Sequence, residues 1–324
     1  MPIRSFAQLA LAFVFISASA GCSNSGTTTT PPPPPGPMTW TANAGGSTTD
    51  GALEGLNFYP SNMTIDVGDT IAWTIASADP HTVTLFPVGQ GPKPGPPDLA
   101  PHGGSTYDGT TLTSSGLAFK GTVYQLTFTK AGTYKVYCLI HLPEMIGTIT
   151  VQAAGTPYPT TQGQYQAQGA AATAADLANA LASLLQFPFP VGGTQVAAGM
   201  APGLVGATPS HSTVLRFING KSVTDTTVRV PVGGTITWYN ESNNEPHTVT
   251  FGIAGKPFPK LNPFGPKIGG STYDGTAITS SGVIPPVPGI NSYSLTFTKA
   301  GTYPYICLIH DETSGMMIGT VIVQ

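Results

Sequence analysis

The sequence predicts an all-β protein: two tandem β-sandwiches joined by a linker with a short helix. Three observations lead there. The composition is rich in chain-breakers, with 40 Gly and 32 Pro in 324 residues, and only 8% of residues are charged, which suits short strands joined by turns rather than long helices. Nearly the same text is written twice along the chain. Within each copy, short segments alternate apolar and polar residues, the pattern of a strand with one buried face.

The N-terminus is read first because it has to be set aside. Met1 to Arg4 form a charged head, an apolar run follows from Phe6 to Ala20, and Gly21-Cys22 closes it. This is the layout of a secretory signal, assigned to residues 1–21, and it is too short to span a bilayer comfortably. Ser19-Ala20-Gly21-Cys22 resembles a bacterial lipobox, in which the signal is cut before a cysteine that is then lipidated. Ser19 departs from the larger apolar residue usual there. Cys22 is therefore the expected lipidation site, with plain secretion as the alternative. Residues 22–37, with four threonines and then Pro31 to Pro35, cannot bury a core and read as an extended tether holding the first folded domain off a membrane surface.

The repeat fixes the next divisions: a first domain over 38–153, a linker over 154–206 and a second domain over 207–324. Val67-Gly-Asp-Thr-Ile-Ala-Trp73 answers Val232-Gly-Gly-Thr-Ile-Thr-Trp238, and Pro80-His-Thr-Val-Thr84 answers Pro246-His-Thr-Val-Thr250. Cys138-Leu-Ile-His141 answers Cys307-Leu-Ile-His310. The offset drifts only from 165 residues (Val67 to Val232) to 172 (Met145 to Met317), so a whole domain is duplicated rather than a short solenoid unit. In the first copy, strands are expected around Thr64, Thr70 to Trp73, Thr82 to Leu85, Tyr124 to Phe128, Thr133 to Cys138 and Thr148 to Val151. Between the copies, Ala170 to Gln186 carries leucines at 177, 181, 184 and 185 spaced for one helical face, and Pro188 and Pro190 end the pattern. That helix is expected to pack or space rather than to carry chemistry.

Potential metal ligands are few enough to account for individually. The chain has six histidines and three cysteines. His81, His141, His247 and His310 occupy matched places in the two copies, whereas His102 and His211 have no histidine counterpart and read as surface-polar. Cys138 and His141 share one loop that continues to Met145, and His81 comes from an earlier strand pair. Together they supply one thiolate, two imidazoles and a weak thioether, the donor set of a blue-copper centre. A buried cysteine near a histidine is ordinarily a core residue, but the same set placed twice at matching positions argues against that reading. Zinc accepts Cys and His, yet methionine is a poor fourth ligand for it. A Cys138–Cys307 disulfide would have to join equivalent strand ends of two separate domains. Trp73, Trp238, Tyr134 and Tyr303 read as core aromatics.

On these residues both copies resemble the plastocyanin/azurin-type cupredoxins. The resemblance runs over Trp40 to Gln152 and Thr213 to Gln324. It rests on Gly68-Asp-Thr-Ile-Ala-Trp before His81, Gly132-Thr-Tyr leading into Cys138, and Met145-Ile-Gly-Thr-Ile, with their counterparts around His247, Cys307 and Met317-Ile-Gly-Thr-Val. It implies Greek-key sandwiches with copper at one end and one-electron transfer as the work. Carried over residue by residue, the ligands are His81, Cys138, His141 and Met145, then His247, Cys307, His310 and Met317, giving two type 1 copper sites. The copies differ in one respect: three residues separate His141 from Met145, but six separate His310 from Met317. Met316 therefore competes with Met317, which keeps the Met-Ile-Gly-Thr register. The longer loop also leaves open that the second copy is structural.

Several function classes are disfavoured. With 12 Lys plus Arg and a net charge of −3, no basic stripe is available for nucleic acid. No Gly-x-Ser-x-Gly, His-Glu-x-x-His or P-loop motif occurs, and the His-x-His pairs that multicopper oxidases and copper nitrite reductases use are lacking. The expectation is a non-enzymatic carrier without a small-molecule substrate. It would sit in the bacterial cell envelope or periplasm, anchored through Cys22, and meet envelope redox proteins transiently. A copper storage or delivery protein is the alternative.

Overall fold

The computed structural model describes residues 36–185, 193–200, 211–219, 226–242, 245–311 and 317–324. The segment expected to be a signal, Cys22, most of the expected tether, Pro188, Pro190 and Met316 lie outside these residues.

The first copy supplies ten strands: β1 (Thr39–Ser47), β2 (Leu53–Tyr59), β3 (Asn62–Asp66), β4 (Thr70–Ile75), β5 (Thr84–Leu85), β6 (Thr106–Tyr107), β7 (Thr113–Ser114), β8 (Val123–Phe128), β9 (Gly132–Tyr137) and β10 (Ile146–Gln152). A helix, α1 (Gln162–Leu185), follows. The second copy repeats the series as β11 (Gln195–Met200), β12 (Ser212–Ile218), β13 (Thr227–Val230), β14 (Thr235–Glu241), β15 (Thr250–Phe251), β16 (Thr272–Tyr273), β17 (Thr279–Ser280), β18 (Ser292–Phe297), β19 (Gly301–Ile306), a single turn α2 (Leu308–Asp311), and β20 (Ile318–Val323). The alternation that predicts these strands is their burial pattern. In β10, Gly147, Ile149 and Val151 point inward while Thr148 and Thr150 are only half-buried.

Each copy is a two-layer sandwich. One layer of the first copy is β3-β10-β9-β5-β7, and its counterpart in the second is β13-β20-β19-β15-β17. The other layers, β2-β1-β4-β8-β6 and β12-β11-β14-β18-β16, are halves of one ten-stranded sheet. They join where β12 pairs antiparallel with β2, placing Ser212 opposite Gly55 and Val214 opposite Leu53. Equivalent strands thus meet across a near two-fold axis, and each covers an edge that would otherwise expose unpaired backbone groups. Large aromatics fill the two cores, Trp40, Trp73, Phe58 and Phe128 in the first, Trp238, Phe217, Phe251 and Tyr305 in the second.

Two expectations about the linker need correcting. The helix starts earlier than the leucine spacing indicates, because Thr161 and Gln164 form a reciprocal cap: Gln164 N–H donates to Thr161 Oγ1 (3.3 Å) and Thr161 N–H to Gln164 Oε1 (2.8 Å). Its inner face is Tyr165, Ala180, Leu184 and the partly buried Leu177, whereas Leu181 is 48% exposed. Leu177, Ala180 and Leu184 pack on Leu53, Ala197 and Val214, the seam between the two half-sheets, and a buried leucine there contributes about 1.5–3 kcal/mol. The second boundary also moves. Strand β11, inside the expected linker, pairs with β12 and β14 as β1 pairs with β2 and β4, so the second sandwich begins before residue 207. Its Ala-Ala-Gly text is too plain to register as a strand without its partners.

Candidate metal centres

Each centre is assembled from two places in the chain. The cysteine ends a strand, β9 or β19, and the loop behind it folds back. His141 N–H donates to Cys138 O (3.3 Å), and Cys138 N–H donates to Met145 O (3.1 Å). The second copy repeats this with His310 N–H to Cys307 O (3.3 Å) and Cys307 N–H to Met317 O (3.0 Å). The backbone register thus places Met317 at the position of Met145. Both methionines are fully buried.

The remaining histidine arrives beside β5 or β15, tied down by an antiparallel bridge of His81 to Ala118 and of His247 to Ile284. The threonine that follows it fastens the two pieces together. Thr82 N–H donates to Cys138 Sγ (3.3 Å), while Thr82 Oγ1 accepts from Leu139 N–H (2.8 Å). Thr248 does the same for Cys307 Sγ (3.3 Å) and Leu308 N–H (2.7 Å). Both threonines are legible in the repeated His-Thr-Val-Thr text, but only the fold gives them this work.

In the first copy Cys138 Sγ lies 3.6 Å from His81 Nδ1 and 3.3 Å from His141 Nδ1, and the two Nδ1 atoms are 2.9 Å apart. In the second the corresponding distances are 3.9, 3.4 and 3.1 Å. Nitrogens at about 2.0 Å and a sulfur at about 2.3 Å from one ion in a trigonal arrangement sit roughly 3.5 Å from one another. The donors therefore fit a single metal ion, and their soft sulfur and borderline imidazole chemistry fits copper. All six side chains are buried. Cys138 and Cys307 are both free thiols, so no disulfide joins the copies. His102 pairs with Asp98 at 2.8 Å on the surface, and neither it nor His211 belongs to a metal-holding group among the described residues.

The donors of each centre shift one another's proton affinities. Burial alone would raise the Cys138 thiol, but His141 beside it, with hydrogen bonds from both histidines, holds it well below the usual thiol range. Cys307 is depressed in the same way by His310 and His247. Burial opposes charge on His141 and His310, yet the thiolates and Asp79 raise both well above the ordinary imidazole value. Both cysteine shifts run toward the thiolate that a metal requires.

Two features escape sequence reasoning. Gly45 and Gly199 sit at equivalent bulges with φ of +71°, and a Cβ there would lie 2.2 Å from His81 Nε2 and 2.0 Å from His247 Nε2. Only glycine lets the strand pass so close to the ring. The matched Ala-Gly pairs at 44–45 and 198–199 were the available signal. The second feature is a buried acid before each Pro-His. Asp79 Oδ2 is 2.7 Å from His141 Nε2, and its Oδ1 is 3.4 Å from His310 Nε2. Glu245 holds the equivalent position. His141 and His310 are therefore only 2% and 3% exposed, and their outer edges face each other across the two copies. They line a largely apolar cleft of about 460 Å³ whose walls include Leu99, Leu117, Phe264 and Pro286.

Residues 46–152 match the profile of the family described as copper binding proteins, plastocyanin/azurin family. That match covers most of the first copy. Solved structures similar to the chain include a Cu(I) form of an amicyanin variant, 22% identical over 35% of this chain and 82% of that one, with a TM-score of 0.25. A reduced amicyanin variant is 24% identical over 36% and 83%, with a TM-score of 0.24. The second copy reproduces the strand order, the donor residues and the backbone register of the first.

Proposed function

We propose that the chain is an exported one-electron carrier with two type 1 copper centres, one held by His81, Cys138, His141 and Met145 and the other by His247, Cys307, His310 and Met317. The observation that carries the proposal is the convergence, twice, of one depressed-pKa thiolate and two imidazole Nδ1 atoms in a buried site. Copper in such a set alternates between Cu(I) and Cu(II) with little rearrangement. The protein's part is to hold the donors rigid. The Thr82 and Thr248 amides orient and stabilise the thiolates, and the packed cores exclude water.

The signal-like segment and Cys22 support export to the bacterial envelope with a lipid anchor, the tether giving the domains reach. Partners would be envelope redox proteins, docking transiently on the apolar walls of the cleft over His141 and His310. Storage or delivery of copper is the second reading, and the burial of both histidine edges favours it, because a partner cannot touch either ring directly.

The test is a copper titration of the chain from residue 38 onward, with the visible spectrum recorded alongside Cys138→Ser and Cys307→Ser. Two coppers per chain and loss of one share of the thiolate band in each variant are expected. Absence of the band overturns the proposal, and a normal band with very slow electron self-exchange leaves storage as the function.

A further inference from the structure

The ten-stranded sheet brings the two cupredoxin ends together head to head, and three buried carboxylates occupy the junction: Glu54, Asp79 and Glu245. Their surroundings differ. Glu54 accepts from Ala78 N–H at 3.3 Å through one oxygen. Neither oxygen of Glu245 has a hydrogen-bond partner among the described residues, and Asp79 Oδ2, although 2.7 Å from His141 Nε2, is close to that nitrogen without the alignment of a full hydrogen bond. Asp79 alone stands between the two imidazoles, with one oxygen toward each. A histidine that ligates metal through Nδ1 keeps its proton on Nε2 and gives it to an acceptor that fixes the ring and adjusts its basicity. Here one carboxylate is in position to be that acceptor for both centres.

We infer that Asp79 is a shared outer-sphere ligand: its carboxylate accepts the Nε2–H of His141 and of His310, joining the two copper centres into one coupled pair rather than two independent carriers. The inference rests on the two-centre reading above. Near two-fold symmetry offers the central place to one side chain only, and the shorter Asp79 takes it, leaving Glu245, longer by a methylene, beside it. The electron step is a simple exchange. With copper held in both centres, an electron could exchange between them without proton transfer, Asp79 accepting from the Nε2–H of His141 and of His310 whichever centre held it. Because both imidazoles share one anion, removing it acts on both centres although it belongs to the first copy.

The test uses the full chain. In the Cu(I)-loaded protein, proton–nitrogen NMR should show slowly exchanging, low-field Nε2–H signals for both His141 and His310, and Asp79→Ala should remove both. Redox titrations are then run with Asp79→Asn in the Cys138→Ser and Cys307→Ser backgrounds, which isolate the centres. Loss of the anion should favour Cu(I) in each by about tenfold, with a smaller effect from Glu245→Gln. A change confined to the Cys307→Ser background, where only the first centre remains, overturns the inference, as does an equal response to Glu245→Gln, which indicates through-space charge alone. A third ion in the copper or zinc titration, held by Asp79, Glu245 and His310 whose donor atoms lie within 4.8 Å of one another, also overturns it. If Asp79→Asn fails to fold, the wild-type NMR signals decide. Absence of any thiolate band instead sinks the two-centre reading and is distinguishable from all of these.

Discussion

The two copies have the same inner architecture and different surroundings, and the contrast separates what a metal centre requires from what tunes it. Donor spacing, threonine clamp, methionine register and glycine bulge are all duplicated. The differences lie one layer out. Asp69 in the first copy gathers Trp40 Nε1–H (2.8 Å), Met38 N–H (2.7 Å), Asp66 N–H (2.9 Å) and Tyr158 O–H (3.0 Å), whereas the second copy has Gly234 there. His81 Nε2 meets Ser77 Oγ at 2.5 Å, while His247 Nε2 has no partner among the described residues. A duplicated fold keeps what the donors' geometry demands and lets outer contacts drift.

The largest effect that tests this contrast should come from the duplicated glycines. Gly45→Ala and Gly199→Ala each place a methyl against a ligand ring at positive φ, and should cost about 3 kcal/mol of stability and weaken copper at the affected centre by about tenfold. Urea melts and competition with a copper chelator measure both quantities. If the two variants behave alike, the inner architectures are equivalent; a tolerated Gly199→Ala would show the second centre to be looser.

Asp69→Ala comes next. It strands several buried donors and should cost about 2–4 kcal/mol, read in urea, with no comparable site to mutate in the second copy. A loss below 1 kcal/mol would mean that the network is incidental. Axial identity is a smaller, spectroscopic question. Met317→Leu should shift the thiolate band and favour Cu(I), as Met145→Leu should in the first centre, and Met316→Leu should leave both unchanged. The reverse outcome for the two second-copy variants would show that the six-residue loop has moved the axial ligand. The smallest effect should come from Tyr134→Phe and Tyr303→Phe, which lose hydrogen bonds to Lys130 O (2.9 Å) and Lys299 O (3.1 Å). About 1 kcal/mol each is expected, and unequal values in thermal melts would locate further divergence.

Much of this is legible in the sequence, for a physical reason. Strand alternation, the repeat and the Cys-Leu-Ile-His spacing are local, and local pattern survives in one dimension. His81, far from Cys138 in sequence, could be assigned only because the duplication supplied a second example. Leu181 shows the limit: it fits the leucine spacing but lies off the helix face that meets the sheet, which Tyr165 and Leu177 reveal only once β1, β2 and β12 are in place. Strand β11 was missed because Gln195–Met200 is small and apolar without alternation, its identity resting on hydrogen bonds to β12 and β14.

The sequence by itself determined that there are two β-sandwiches and which side chains can hold a metal, because strand period and donor chemistry are properties of short segments. Only the tertiary structure decided that the copies share one sheet through β2 and β12, that α1 seals the seam, and that the two histidine edges face each other with Asp79 between them. Those are contacts between residues far apart along the chain. They exist because unpaired strand edges and buried charge are costly until another part of the same molecule satisfies them, and no local pattern records which part will.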